Sequence, residues 1–113
     1  MKKLILILFS CMLMSFGMND TYSTASWYGY NTRRITASGE VFDNNKMTAA
    51  HKTLKFGTKV EVTNLNNNKT VTVKVNDRGP FVKGRDLDLS KGAYQKIASL
   101  SSGVIKIKYK IVN

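Results

Sequence analysis

Three stretches of this chain alternate strictly between apolar and polar residues, and that alternation commits them to half-buried β-strands. Val60 and Val62 share one side while Lys59 and Glu61 take the other. Val71, Val73 and Val75 alternate with Thr70, Thr72 and Lys74, and Ile105, Ile107, Tyr109 and Ile111 with Lys106, Lys108 and Lys110. A period of two places every second side chain on the same face of a strand. Between the first two stretches, Asn66-Asn67-Asn68 tolerates the positive φ of a tight turn, so the pair reads as a hairpin. The lysine face of the last stretch reads as a solvated edge guarded against pairing with other chains.

The remaining elements are shorter. Ala25-Ser26-Trp27-Tyr28-Gly29 reads as a first, aromatic-rich strand, Tyr30 to Gly39 as a polar loop, and Lys46 to His51 as a short turn or helix. Asp88-Leu89-Ser90 ends a short strand and offers Ser90 as a helix N-cap. Ala93, Ile97 and Leu100 then recur at helical spacing until Gly103. Five or six short strands, one helix and frequent turn signals point to a mainly β fold, a small closed barrel.

The N-terminus has a different character. Met1-Lys2-Lys3, an apolar run from Leu4, and Ser15-Phe16-Gly17 form the charged, apolar and small-residue regions of an export signal over residues 1–17. The run is short of the roughly 20 apolar residues that span a bilayer. Residues 18–24 read as a flexible lead-in, and 25–112 as one folded domain, since about 96 residues (113 − 17) make a single core. The single cysteine, Cys11, lies inside the signal, so no disulfide staples the exported domain. Leu8-Phe9-Ser10-Cys11 is similar to a bacterial lipobox. Two fates therefore stay open, a free domain cleaved after Gly17 or a membrane-tethered one lipidated at Cys11.

The net charge is +11, and +9 without Lys2 and Lys3. A basic surface attracts polyanions. Export argues against nucleic acid as the partner and leaves anionic wall glycans, phosphate-bearing wall polymers and lipid headgroups, or a charge that serves solubility alone.

The inventory of chemical groups is short. One histidine, His51, and no cysteine beyond the signal give no metal-ligand set, and no Gly-x-Ser-x-Gly elbow marks a nucleophilic serine. Carboxylates remain. Glu61 faces solvent among lysines, whereas Glu40 and Asp77 sit in glycine-containing loops, in Ser38-Gly39-Glu40 and Asn76-Asp77-Arg78-Gly79-Pro80. Loops on a rigid scaffold are where catalytic groups concentrate. Spacing alone leaves Asp77 either a turn cap or a reactive carboxylate, with Arg78 or Arg85 paired to Asp86 or Asp88.

Several of these motifs occur together. Ala25-Ser26-Trp27-Tyr28-Gly29, Thr36-Ala37-Ser38-Gly39-Glu40, Thr48-Ala49-Ala50-His51-Lys52-Thr53-Leu54, Phe56-Gly57-Thr58, Val60-x-Val62-Thr63-Asn64, Asn76-Asp77-Arg78-Gly79-Pro80-Phe81, Gly84-Arg85 and Asp88-Leu89-Ser90 follow one another along the chain. In that order they resemble the rare lipoprotein A (RlpA) family. The resemblance implies a six-stranded double-psi β-barrel with one short helix. It implies an endolytic peptidoglycan transglycosylase that cleaves the β-1,4 bond between N-acetylmuramic acid and N-acetylglucosamine, leaves 1,6-anhydromuramic ends, and prefers strands without stem peptides. The alternative on the same barrel is a non-catalytic, expansin-like glycan-binding module.

Asp77, Glu40 and His51 take the catalytic positions by this resemblance. Asp77 is favoured as the acid/base and Glu40 as its electrostatic partner, so one of the two carboxyls is expected to hold its proton more tightly than the other. Trp27, Tyr28, Arg78 and Arg85 are candidate substrate contacts. No cofactor or metal is implied. The expected partners are peptidoglycan strands and, beyond them, septal or envelope proteins, for a monomer in the bacterial cell envelope. Two departures from the family pattern are Lys55, where proline is usual, and the lack of a C-terminal sporulation-related repeat.

Overall fold

A computed structural model describes residues 20–112. The export signal and Cys11 lie outside the described residues. Six strands, β1 (Thr21–Tyr28), β2 (Thr48–His51), β3 (Lys59–Asn64), β4 (Thr70–Asp77), β5 (Arg85–Ser90) and β6 (Ile105–Ile111), are joined by one helix, α1 (Lys91–Ile97), and a 3₁₀ turn at Leu100–Ser102. The strands close in the order β1-β5-β2-β4-β3-β6. Two pairs, β1 with β5 and β2 with β4, are parallel, and the other four are antiparallel. The alternation seen in the sequence fills the interior: Val60, Val62, Val75, Leu87, Leu89 and Ile107 are fully buried.

The β3–β4 hairpin forms as expected, with Val62 opposite Val71 and Asn68 at φ 61° in the turn. Ser90 caps α1 by accepting from the Ala93 amide at 3.2 Å, and it donates to the Lys46 carbonyl at 2.6 Å. The helix ends at Ile97. Leu100 therefore reaches the core from the 3₁₀ turn after the helix rather than from α1.

Three local expectations are corrected. Thr21–Thr24 is not lead-in but the first half of β1. Thr21, Tyr22, Ser23 and Thr24 pair antiparallel with Tyr109, Lys108, Ile107 and Lys106 of β6, and closing the barrel requires them. Thr48–His51 is a strand, buried along its whole length between β4 and β5, so tertiary pairing overrides the helix preference of its two alanines. Ile111, expected to face in, is half exposed at the end of β6.

Two register shifts interrupt the ladders. On the β2–β4 pairing, Ala49 lies opposite Val75 but Ala50 lies opposite Asp77, so Asn76 is an extra residue on β4. Such a bulge re-aims the side chains beyond it. Strict alternation would turn Asp77 inward with Val75. Instead Val75 and Asn76 are both buried and Asp77 emerges at a surface depression. A second shift lies between Thr24 and Ala25 on the β1–β5 pairing.

Candidate functional site

Ala50 is opposite Asp77 on one side and Asp88 on the other. The register therefore brings two carboxylates to one level of the barrel, on the strands flanking β2. The small side chain between them leaves room for a depression of about 260 Å³, lined also by Tyr28, Arg78, Arg85 and Phe81. Leu87 and Leu89 face the interior, so Asp88 faces outward by simple alternation.

Asp77 is held by three donors. Its Oδ1 accepts from the amides of Ala37 and Arg78, each at 2.9 Å, and its Oδ2 accepts from the Tyr28 hydroxyl at 3.0 Å. Burial, and then the charge of Asp77, push the Tyr28 phenol up, so it stays a proton donor to the carboxylate. Gly79, at φ +119°, supplies the backbone conformation that turns the chain away beyond Arg78.

Asp88 is in a different state. Arg85 Nε stands 2.9 Å from its Oδ1, yet burial dominates and raises its carboxyl above the usual 3.8. A carboxylic acid that keeps its proton more readily, beside one that serves as acceptor to three donors, is the asymmetry that acid catalysis needs.

Glu40 lies just outside this depression. The turn from Thr36 to Glu40 is closed by the Thr36 amide donating to the Glu40 carbonyl at 2.8 Å, and it docks on β4 through the Ser38 amide and the Asn76 carbonyl. It places Glu40 in a neighbouring hollow with Asp43, Lys46, Lys74 and Asn76. Lys74 Nζ sits 2.8 Å from Glu40 Oε2 and is the main reason the carboxyl is pulled below its usual range. Glu40 is thus held below the usual carboxylate range, and the carboxyl raised above it is that of Asp88, outside the expected pair of Asp77 and Glu40.

His51 is 8% exposed and is not part of either hollow. Its Nδ1 accepts from the amides of Thr53 and Leu54 at 3.1 Å, which leaves the proton on Nε2, 3.3 Å from the Tyr109 hydroxyl. Tyr109 in turn donates to Asp86 at 3.2 Å, and burial together with Asp86 pushes its phenol up to about 12. Burial lowers the His51 pKa, which suits the neutral ring. The carbonyls of His51 and Leu54 both accept from Arg78 Nη1, at 3.2 and 2.8 Å, so the histidine turn holds an arginine of the site although its ring does not enter it.

Trp27 also lies elsewhere. Its Nε1 donates to the Leu100 carbonyl at 3.2 Å and its ring packs on Tyr94, because it follows Ala25 in pointing inward. The exposed aromatic surface comes instead from Tyr30, which packs with Tyr28 and Phe42, and from Phe81, 82% exposed at the rim. Asp88 and Phe81, which the sequence motifs contain, and Tyr30 line the site although the sequence assigned none of them to it. The alternation Leu87-Asp88-Leu89 held the signal for Asp88; its meeting with Asp77 depends on strand order and register.

The described strands match a family model termed lytic transglycolase, a double-psi β-barrel domain, over residues 21–109. The chain is 51% identical over 89 residues to the endolytic peptidoglycan transglycosylase RlpA of Campylobacter jejuni, covering 78% of this chain and 32% of that protein. It is 56% identical over 90 residues to a probable endolytic peptidoglycan transglycosylase RlpA of Synechocystis, covering 78% and 28%. The chain thus spans about a third of the length of these curated relatives. Among solved structures, the Streptomyces papain inhibitor shares the fold at a TM-score of 0.71 and 24% identity, covering 85% of this chain and 96% of that one. The Clavibacter michiganensis expansin does so at 0.67 and 25%, covering 83% and 50%. With its strands, its barrel order and its linked motifs all accounted for, the chain belongs to the RlpA family of double-psi β-barrel proteins.

Proposed function

We propose that this chain is the catalytic barrel of an endolytic peptidoglycan transglycosylase of the bacterial cell envelope. It cleaves the β-1,4 bond from N-acetylmuramic acid to N-acetylglucosamine and leaves 1,6-anhydromuramic ends. The observation that carries this reading is the meeting of Asp77 and Asp88 in one depression, the first fixed by three hydrogen-bond donors and the second half-buried beside Arg85. The relatives' names support the same reaction class.

The proton inventory closes on one carboxyl group. Asp88, whose burial favours the protonated form, gives a proton to the glycosidic oxygen as the bond from C1 to that oxygen breaks and positive charge spreads over C1 and the ring oxygen. Asp77, fixed by Tyr28 and two backbone amides, faces that charge. The muramic 6-hydroxyl then closes on C1, and the Asp88 carboxylate takes the hydroxyl proton, which restores the acid. No water is consumed. This moves the proton-transfer role from Asp77, favoured by its motif, to Asp88. Glu40 holds negative charge one hollow away, beside the path of the strand, and His51 acts through the turn that holds Arg78.

Incubation with denuded glycan strands, read by mass spectrometry, tests the assignment. The protein is expected to yield 1,6-anhydromuramic ends, Asp88→Asn to lose roughly 10²- to 10⁴-fold in rate, and Asp77→Asn to lose on the order of 10²-fold. Strands that bind but stay uncut with the unmutated protein would place the chain with glycan-binding, expansin-like barrels instead.

A further inference from the structure

Tyr28, Tyr30 and Phe81 line the depression, and the fold makes use of only the first two rings. Tyr28 packs on Phe42, while Tyr30 meets both of them edge to face and carries the Arg34 guanidinium 4.5 Å from its centroid. Phe81 has no ring or cationic partner among the described residues. It is also the most exposed large apolar side chain among them.

Phe81 lies in the connection from β4 to β5, residues 78–84, which joins the strand of Asp77 to the strand of Asp88. Both ends of that connection are tied down. At its start, Arg78 Nη1 donates to the carbonyls of His51 and Leu54. At its end, the Arg85 amide donates to the Val82 carbonyl at 3.2 Å and Thr24 Oγ1 to the Gly84 carbonyl at 2.8 Å. The ring is therefore presented to solvent from an anchored segment beside both carboxylates.

An apolar ring kept in water forgoes the stabilisation that burial brings, and a ligand can recover it. The ligand that fits is flat and apolar on one side and polar around its edge. Asp77, Asp88, Arg78 and Arg85 pair with hydroxyls and amides, while the face of Phe81 offers a negative π cloud. A β-linked pyranose has both features. Its equatorial substituents point outward around the edge, and its axial C–H bonds form a flat face of slight positive charge.

Resting on the transglycosylase function, we propose that Phe81 is the stacking platform for a pyranose ring adjoining the muramic ring whose C1 reacts. That neighbouring sugar keeps its shape while the bond breaks, so the platform binds substrate and transition state alike. Phe81 sets affinity and leaves the chemical step to the two carboxylates.

The test separates stacking from catalysis. Affinity for denuded glycan strands is measured by calorimetry on protein carrying Asp88→Asn, which slows cleavage. Adding Phe81→Ala should weaken binding about tenfold, and so should Phe81→Leu, which keeps apolar bulk without a flat π face. Phe81→Trp should bind at least as tightly. Its emission should shift to the blue when strands are added, a signal that belongs to position 81 because Trp27 is packed against Tyr94. With Asp88 intact, Phe81→Ala should raise KM about tenfold and leave kcat within about twofold. Thermal melting reports whether each variant is folded.

Unchanged affinity in folded Phe81→Ala overturns the proposal. So does full affinity in Phe81→Leu, which would make the contact apolar without stacking, and so does a fall in kcat with KM unchanged. An emission from Phe81→Trp that saturating strands do not move overturns it even if Phe81→Ala fails to fold. A dimer of the unmutated protein in sedimentation that Phe81→Ala dissolves would assign the ring to contact between copies, and also overturns it. Absence of anhydro ends with the unmutated protein would instead count against the transglycosylase reading, while the binding and emission measurements still decide the role of Phe81.

Discussion

The Tyr28 hydroxyl makes a single contact that the proposed chemistry uses, its hydrogen bond to Asp77. Tyr28→Phe keeps the ring and its packing on Phe42 and removes only that donor. A hydrogen bond to a charged group is worth about 1.5–3 kcal/mol, so the turnover rate should fall on the order of tenfold or more, and the melting temperature should fall by several degrees. Steady-state rates on denuded strands and a melting curve check both halves. His51 makes a prediction about stability alone. Its folded pKa lies below the ordinary 6.5, so the unfolded chain binds the proton first as pH falls. The contribution is complete above 6.5 and is lost as pH drops below it towards the folded value. Melting temperature should therefore decline as pH falls below about 6.5, and His51→Asn, whose amide oxygen can still accept from Thr53 and Leu54, should flatten that decline.

Secondary-structure preference and packing disagree at Gly92, in the first turn of α1. By helix propensity alone, Gly92→Ala should stabilise by up to about 1 kcal/mol. A β-carbon there would meet the Asn44 carbonyl oxygen at 2.7 Å and Asn45 Cα at 3.2 Å, while the Gly92 amide already donates to that oxygen at 2.7 Å. The backbone of the Asn44 segment would have to move, and Asn44 also bridges to Tyr30 through its side chain. Gly92→Ala is thus expected to destabilise by about 1–3 kcal/mol, measurable by urea unfolding. The same contrast explains which elements were legible. The β3–β4 hairpin, β6 and the Ser90 cap carry local signals of period, turn residues and capping chemistry. Strand β2 carries none, since Thr48-Ala49-Ala50-His51 is a strand only because β4 and β5 hold it from both sides.

Closure is a property of the whole barrel, and it depends on the residues that looked most dispensable. A chain begun at Ala25 would leave Lys106, Ile107, Lys108 and Tyr109 of β6 without their β1 partners. It would open a sheet edge that the closed fold removes. Such a chain should melt well below one begun at Asp20 and elute partly as aggregate in size-exclusion chromatography. Closure also sets the site. The sequence by itself determined the strands whose faces alternate, the hairpin, the helix start and the motifs containing Asp77 and Glu40, because each is written in neighbouring residues. Only the tertiary structure decided that Asp77 meets Asp88, that His51 holds Arg78 from behind, and that Trp27 packs inward. Those relations arise from the strand order and from the one-residue shift at Ala49 and Ala50. A shift of one residue exchanges the two faces of a strand, and no local pattern records it.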